Sequence, residues 1–205
     1  MSFTSYAELQ TTIAGYLARS DLTTQIPDFI RLAELRLRRD LRIRQMLKSV
    51  TTATVASDST VELPSDFLEV RDLFIVGNPV QPLTYYSPSA FNRNARTWEI
   101  GKPRDYTVLA NDFQLAPIPD TVYTVQMLYF AAPTFLSNAN TSNAFLANTP
   151  DALLYGALLE AEPYLMNDVR LNTWGTMFDR AMSSITRSDE QGQYSGVPLV
   201  IKTTL

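Results

Sequence analysis

The spacing of apolar residues constrains the fold of this chain more than any other feature, because it is helical near both ends and strand-like between them. A capping box formed by Ser5 and Glu8 predicts the start of a first helix, and Pro27 predicts the start of a second. From about residue 46 to residue 132, β-branched residues, alternation and turn signals replace the helical spacing, most clearly between Val122 and Ala131. Helical spacing then returns, so we expect helices, strands and helices in that order.

Helices at the two ends each present an apolar face, and the shortest way to bury both faces is for these helices to pack together. We therefore predict an α+β fold, with a helical bundle formed by the N- and C-terminal helices, an inserted β-rich region and an extended C-terminal arm. A chain of 205 residues is long enough to bury the core that this arrangement needs. The predicted segments are residues 1–46 and 147–191 for the two halves of the bundle, 47–146 for the insertion and 192–205 for the arm.

Two residue types that carry much of enzyme chemistry are missing, because the sequence contains neither cysteine nor histidine. Their absence excludes thiolate nucleophiles and thiolate metal sites, and it excludes catalytic triads that use histidine as the base. The seven glycines show no spacing typical of a phosphate-binding loop. We predict a protein that is not an enzyme and that binds no cofactor.

Acidic residues form two clusters whose ability to hold a metal ion has to be weighed, one at Asp66, Glu69 and Asp72 and the other at Glu160 and Glu162. The first cluster lies in a segment with the pattern of a turn followed by a strand. The two glutamates of the second are two positions apart on a predicted helix, so they do not face one another. We therefore predict no catalytic and no metal-binding residue.

The charge balance is mildly acidic, with 17 basic and 21 acidic side chains. This balance argues against a basic surface that wraps nucleic acid, and it suits either solubility or a channel through which DNA passes without binding. No apolar stretch is long enough to cross a membrane, and residues 1–4 carry no secretion signal. We expect a protein that is made and kept in the cytosol.

Six arginines crowd into the second predicted helix and the residues just after it, and Arg31, Arg38 and Arg42 fall on one helical face. This face could contact a neighbouring subunit, it could be solvated and partly neutralised by Glu34 and Asp40, or it could contact DNA phosphate. We favour the subunit contact, because the planar guanidinium group pairs with carboxylates in a bidentate manner, and the acidic net charge makes DNA the least favoured partner. The six are Arg31, Arg36, Arg38, Arg39, Arg42 and Arg44.

The segment from Val197 to Thr203 combines high β propensity with low charge, and it would favour aggregation if it were left exposed. It could pair with a sheet of its own chain, or it could add a strand to the sheet of another protein. We favour the second interpretation, because the polar residues 188–193 form a tether between the last helix and this segment. The predicted contact residues are Val197, Leu199, Val200 and Ile201.

The chain resembles the head-to-tail adaptor, or connector, proteins of tailed bacteriophages. The similarity spans nearly the whole chain in order, and it rests on an ordered set of stretches rather than on one chemical motif. The stretches are Tyr6–Leu9, Asp21–Pro27, Leu63–Glu69, Gly101–Tyr106, Phe113–Pro119 and Leu153–Ala161.

This resemblance implies a structural virion protein that forms a ring, usually of twelve copies, beneath the portal protein at the capsid vertex. Such rings extend the channel used in DNA packaging and DNA ejection, and they offer the docking surface for tail or nozzle proteins. The C-terminal arms of similar proteins reach into the portal, which agrees with strand addition by the arm predicted above. The arginine face would then lie at the contact between copies, and DNA would pass without specific binding.

Two other functions remain open from the sequence. A tail-tube or nozzle protein of the virion would bind tail proteins rather than the portal. A metal-dependent DNA-processing enzyme would need a convergent acidic cluster, and its cleavage of DNA would be lost on Asp66→Ala.

Overall fold

The computed structural model describes residues 4–19, 21–94, 97, 99–165 and 169–193 of the chain. Internal contacts divide the chain into two compact units. One, the helical unit, comprises residues 1–45 and 133–205, and the other, the strand unit, comprises residues 46–132. Helices at both ends of the chain and sheets inserted between them confirm the predicted α+β class.

The helices differ widely in length, and all except the third belong to the helical unit. In chain order the described residues form α1 (Tyr6–Leu17), α2 (Ile26–Asp40), α3 (Pro88–Asn94), α4 (Ala144–Asn148), α5 (Pro150–Glu160), α6 (Glu162–Leu165) and α7 (Arg170–Gln193).

The first two helices begin where the sequence predicts. Ser5 is the N-cap of α1, and its hydroxyl accepts the Glu8 N–H at 3.3 Å. The Glu8 carboxylate accepts the N–H of Thr4 at 2.7 Å, so the return bond of the capping box goes one residue further back than the usual pattern. Pro27 lies in the first turn of α2, where its missing N–H costs no helical hydrogen bond.

Helix α5 lies at the centre of the helical unit and is buried on most of its surface. It packs against α1, α2, α4, α6 and α7. Gly156 allows a close approach, because a Cβ built at this position would lie 3.2 Å from Ala33 Cβ of α2 and 3.3 Å from Phe178 Cε2 of α7. The helical unit therefore depends on a small residue at its centre. Its buried members of α5 are Ala152, Leu153, Leu154, Gly156, Ala157 and Leu158.

The structure differs from the predicted segment boundaries in two places. Residues 133–146, which that division placed in the insertion, contact the helical unit. There the Tyr6 N–H donates to Thr141 O at 2.8 Å. Helix α7 continues through Gln193, beyond residue 192 where the arm was expected to begin. The last turn of α7 has no apolar spacing that could reveal it, and side-chain hydrogen bonds hold it instead.

The strand unit contains two four-stranded sheets. The first has the order β1-β8-β3-β4 and is antiparallel throughout, whereas the second has the order β2-β7-β6-β5 and includes one parallel pair, β5 with β6. The strands are β1 (Leu47–Ala53), β2 (Thr60–Glu62), β3 (Phe67–Ile75), β4 (Gln81–Pro82), β5 (Thr84–Tyr85), β6 (Asp105–Leu109), β7 (Asp112–Ala116) and β8 (Thr124–Ala131).

One apolar core joins residues from both sheets of the strand unit. Alternate side chains of β8 face this core, and they are Val125, Met127, Tyr129 and Ala131. Phe113 of β7 meets the Phe67 ring of β3 edge to face, with 5.8 Å between the ring centroids. The alternation of side chains along β8 therefore decides which of them are buried.

Candidate protein–protein interface

Two arginines of α2 stack on one aromatic ring. Arg31 Cζ lies 3.0 Å from the centroid of the Phe135 ring, and Arg38 Cζ lies 4.2 Å from the same centroid. Arg31 is exposed and Arg38 is partly buried. Positions 31 and 38 are two helical turns apart on one face, so the ring brings together two cations that the helix alone would separate. We call Arg31, Arg38 and Phe135 the arginine pair site.

A buried carboxylate lies behind the arginine pair site. Glu34 is only 1% exposed, and it accepts the N–H of Leu136 at 3.0 Å and the side-chain amide of Asn143 at 2.6 Å. Burial raises the pKa of Glu34, although these hydrogen bonds and the charges of Arg31 and Arg38 act against the rise. Glu34 is thus buried rather than solvated, and its charge still acts on Arg31 and Arg38. It ties α2 to the chain that follows β8.

The two positive charges of the arginine pair site repel one another. Burial lowers the pKa of Arg38, and the neighbouring charge of Arg31 lowers it further. Glu34 acts in the opposite direction. Two like charges held together by an aromatic ring are a site where an added negative charge would be stabilised.

Arg42 has a separate role from the other two arginines of the predicted face. Its Nη1 donates to Arg38 O at 2.9 Å and to Leu41 O at 2.7 Å, so it satisfies carbonyls at the end of α2. Arg36 lies elsewhere, 3.0 Å from a carboxylate oxygen of Glu160. The structure thus brings Arg31 and Arg38 together and shows Arg42 bonded to backbone.

The end of α7 is held by a second polar cluster, at the root of the predicted arm. Asp189 accepts the Arg44 backbone N–H at 2.9 Å and the Arg44 Nε at 3.2 Å, while Arg44 Nη1 donates to Gly192 O at 3.0 Å. Gln193 Nε2 donates to the other Asp189 oxygen at 3.0 Å. Burial opposes the ionisation of Asp189, but its hydrogen bonds outweigh this effect and lower its pKa. The proposed contact residues Val197, Leu199, Val200 and Ile201 lie outside the described residues.

Asp66, one of the acidic residues weighed as metal ligands, has other partners. Asp66 accepts Lys48 Nζ at 2.6 Å and the Tyr129 hydroxyl at 2.8 Å. Burial opposes the ionisation of Asp66, yet these two hydrogen bonds outweigh it, so the pKa of Asp66 is lowered. Within the described ranges no group of three or more acidic side chains is arranged to hold a metal ion.

Tyr129 should ionise at a higher pH than an ordinary tyrosine. Burial, and then the hydrogen bond to Asp66 and its negative charge, raise the pKa of Tyr129 to about 12. A tyrosine with a raised pKa stabilises the folded state fully below about pH 10, and this contribution is lost as the pH rises through about 12. Tyr129→Phe should therefore cost about 1 kcal/mol at pH 8.

Ultraviolet absorbance during an alkaline titration checks this prediction. Removal of Tyr129 should eliminate ionisation near pH 12. Identical high-pH titration curves for Tyr129→Phe and the unchanged protein would contradict the assignment.

Sequence reasoning missed Phe135, because an isolated aromatic residue after a strand has no periodicity that marks it. It also missed exposed valines at one end of the first sheet. Val55 and Val122 are 60% and 63% exposed, and their neighbours Thr54 and Tyr123 are hydrogen-bonded. The exposure of a valine side chain cannot be read from a sequence, so no sequence signal marks these two residues.

The described part of the chain has no helix long and apolar enough to cross a membrane. The profile of the SU10 adaptor protein family matches residues 4–201. The chain therefore belongs to this family of bacteriophage adaptors, which confirms the resemblance inferred from the sequence. No curated protein matches it.

Proposed function

We propose that this protein is the head-to-tail adaptor of a tailed bacteriophage, that it has no catalytic role, and that it assembles as a ring beneath the portal protein. The observation that carries the proposal is the family match, because it covers both compact units and most of the C-terminal segment. The ring, of twelve copies as in similar adaptors, would extend the DNA channel and provide the docking surface for tail or nozzle proteins.

The portal contact is assigned to Val197, Leu199, Val200 and Ile201. These residues give the C-terminal segment the β propensity that strand addition requires. The root of the segment is fixed, because Arg44 holds the end of α7 through Asp189 and Gly192. In a ring, neighbouring copies would keep the next segment at high local concentration, so that weak contacts act together.

Contacts between copies are assigned to the surface formed by Arg31 and Arg38 of α2 and by Arg42, just after the end of this helix. The exposed guanidinium group of Arg31 supports this assignment. A head-to-tail contact of this kind closes into a ring when the rotation between neighbours allows it. Arg42 contributes to this surface through the end of α2 that it stabilises.

DNA is proposed to pass through the channel without specific binding during packaging and ejection. The excess of 21 acidic over 17 basic side chains supports this part of the proposal, because close phosphate contacts require basic surfaces. The protein would be made in the host cytoplasm and would end in the virion, at the junction of head and tail.

Removal of residues 194–205 tests the portal contact. The cut leaves Gly192 and Gln193 in place, so the hydrogen bonds at the end of α7 are retained. We expect the full chain to form a complex with the portal of its own phage in sedimentation and electron microscopy, and the shortened chain to form none. The double change Leu199→Asp and Ile201→Asp should give the same loss, whereas Lys202→Ser in the same segment should bind normally.

Normal portal binding by the shortened chain would show that the arm assignment is wrong. A full chain that binds tail proteins but no portal would instead identify a tail-tube or nozzle protein. Thermal unfolding of each variant separates these outcomes from a loss of folding.

A further inference from the structure

We propose that the arginine pair site, formed by Arg31, Arg38 and Phe135, is a receptor for one carboxylate side chain of a second copy of this protein. This inference rests on the proposed ring and names the chemistry of the contact within it. It assigns the contact to two of the three arginines of the predicted face, and it gives Phe135 the role of their support.

The Phe135 ring holds the two guanidinium groups of the site in place without a partner. The two guanidinium groups lie 3.0 and 4.2 Å from the centroid of one phenyl ring, as measured from Cζ. Cation–π contact restricts the orientation of each group and so reduces the side-chain entropy that binding would cost. A planar guanidinium held in this way can present paired N–H donors to a carboxylate.

The donors of this site are available. Among the described residues, neither guanidinium group makes a hydrogen bond or a close ion pair with a side chain. Glu34 is near both arginines, but its oxygens accept the Leu136 N–H and the Asn143 amide. The nearest negative charge is thus engaged by neutral donors and leaves the guanidinium donors open.

The charge of the site selects one carboxylate rather than a nucleic-acid backbone. Two guanidinium groups and the Glu34 carboxylate leave a local charge of about one positive unit when all three are ionised. A single aspartate or glutamate balances it, whereas DNA would bring a row of phosphates to a chain that is acidic overall. A second copy offers exposed carboxylates on its surface, among them Asp179 and Glu190 of α7.

Paired substitutions on portal-bound rings test the site. Arg31→Gln with Arg38→Gln should weaken the association of neighbouring copies about tenfold or more, measured as occupancy of the portal by mass photometry. Arg31→Lys with Arg38→Lys keeps both charges but loses the planar fork, so its loss should be smaller. Arg180→Gln with Arg187→Gln removes two exposed arginines of α7 and should leave occupancy unchanged.

A covalent readout identifies the partner group. In rings built from the lysine variant, a carbodiimide should join Lys side chains at positions 31 or 38 to an aspartate or glutamate of a neighbouring copy. Mass spectrometry of the linked peptides would name that residue. Mixed rings of isotopically light and heavy copies distinguish a link between copies from one within a copy.

The outcomes separate this inference from the proposed function. Full occupancy by the glutamine pair, with no link to a neighbouring copy, would overturn the carboxylate receptor while the ring stands. If the unchanged protein joins no portal, the proposed function fails instead. If the glutamine pair forms normal rings but loses affinity for duplex DNA in fluorescence anisotropy, the site contacts phosphate and the inference is overturned.

Discussion

Glu34→Ala is expected to lower the free energy of unfolding by about 3 kcal/mol at neutral pH, because it removes a buried acceptor shared by two donors. The Leu136 N–H and the Asn143 side-chain amide both donate to this carboxylate, at 3.0 and 2.6 Å. Asn143 is also the N-cap of α4, where its Oδ1 accepts the Leu146 N–H at 3.0 Å. Loss of Glu34 should therefore loosen the start of α4 as well.

Denaturant unfolding of Glu34→Ala, beside Glu190→Ala as a control, measures this effect. Glu190 is exposed on α7, so its removal should change stability by less than about 0.5 kcal/mol. Hydrogen exchange should increase at the amides of Leu136 and Leu146 in the Glu34 variant. Equal stability of the two variants would mean that the bonds to Glu34 contribute nothing net.

The penalty for Glu34→Ala should also depend on pH. Burial raises the pKa of Glu34, so the folded protein keeps this proton to a higher pH than the unfolded chain, which releases it near pH 4.3. The stabilisation linked to the proton is complete below that pH and is lost as the pH rises through the folded pKa. The difference between the unchanged protein and the variant should accordingly be larger at pH 4 than at pH 8.

Gly156→Leu should lower the free energy of unfolding by about 3 kcal/mol, because no space exists for a side chain at the centre of the helical unit. A Cβ alone would approach Ala33 Cβ to 3.2 Å and Phe178 Cε2 to 3.3 Å. A leucine would have to push α2 or α7 away from α5.

Gly175→Leu is the matched control for this substitution. Gly175 lies within α7, and a Cβ there would meet no atom within 4 Å. This change should be neutral or should stabilise the protein by up to about 1 kcal/mol, since leucine favours helix more than glycine does. A Gly156 variant as stable as the Gly175 variant in thermal and denaturant unfolding would contradict close packing at residue 156.

The parts of the fold that could be predicted are those whose signal is local. The spacing of Tyr6, Leu9 and Ile13 predicts the buried face of α1, and the alternation along β8 predicts which of its side chains enter the core. The order of strands within each sheet has no such signal. It depends on pairings between distant strands, such as β1 with β8.

The candidate site could be predicted only in part, for the same physical reason. Arg31 and Arg38 share a helical face, which their spacing alone indicates. Glu34 shares part of that face, and only the position of Leu136, 102 residues later, shows that its carboxylate is buried rather than solvated. Phe135 joins the site by the same distant contact, and a single sequence contains no trace of it.

The hydrogen bonds from Arg44 to Asp189 and Gly192 give the C-terminal segment a fixed origin. From Gln193 to Ile201 the chain can span at most about 29 Å when fully extended. Any groove that receives Ile201 must therefore lie within that radius of the last turn of α7. The direction of the α7 axis, more than the sequence of the segment, would decide which neighbours the segment can touch.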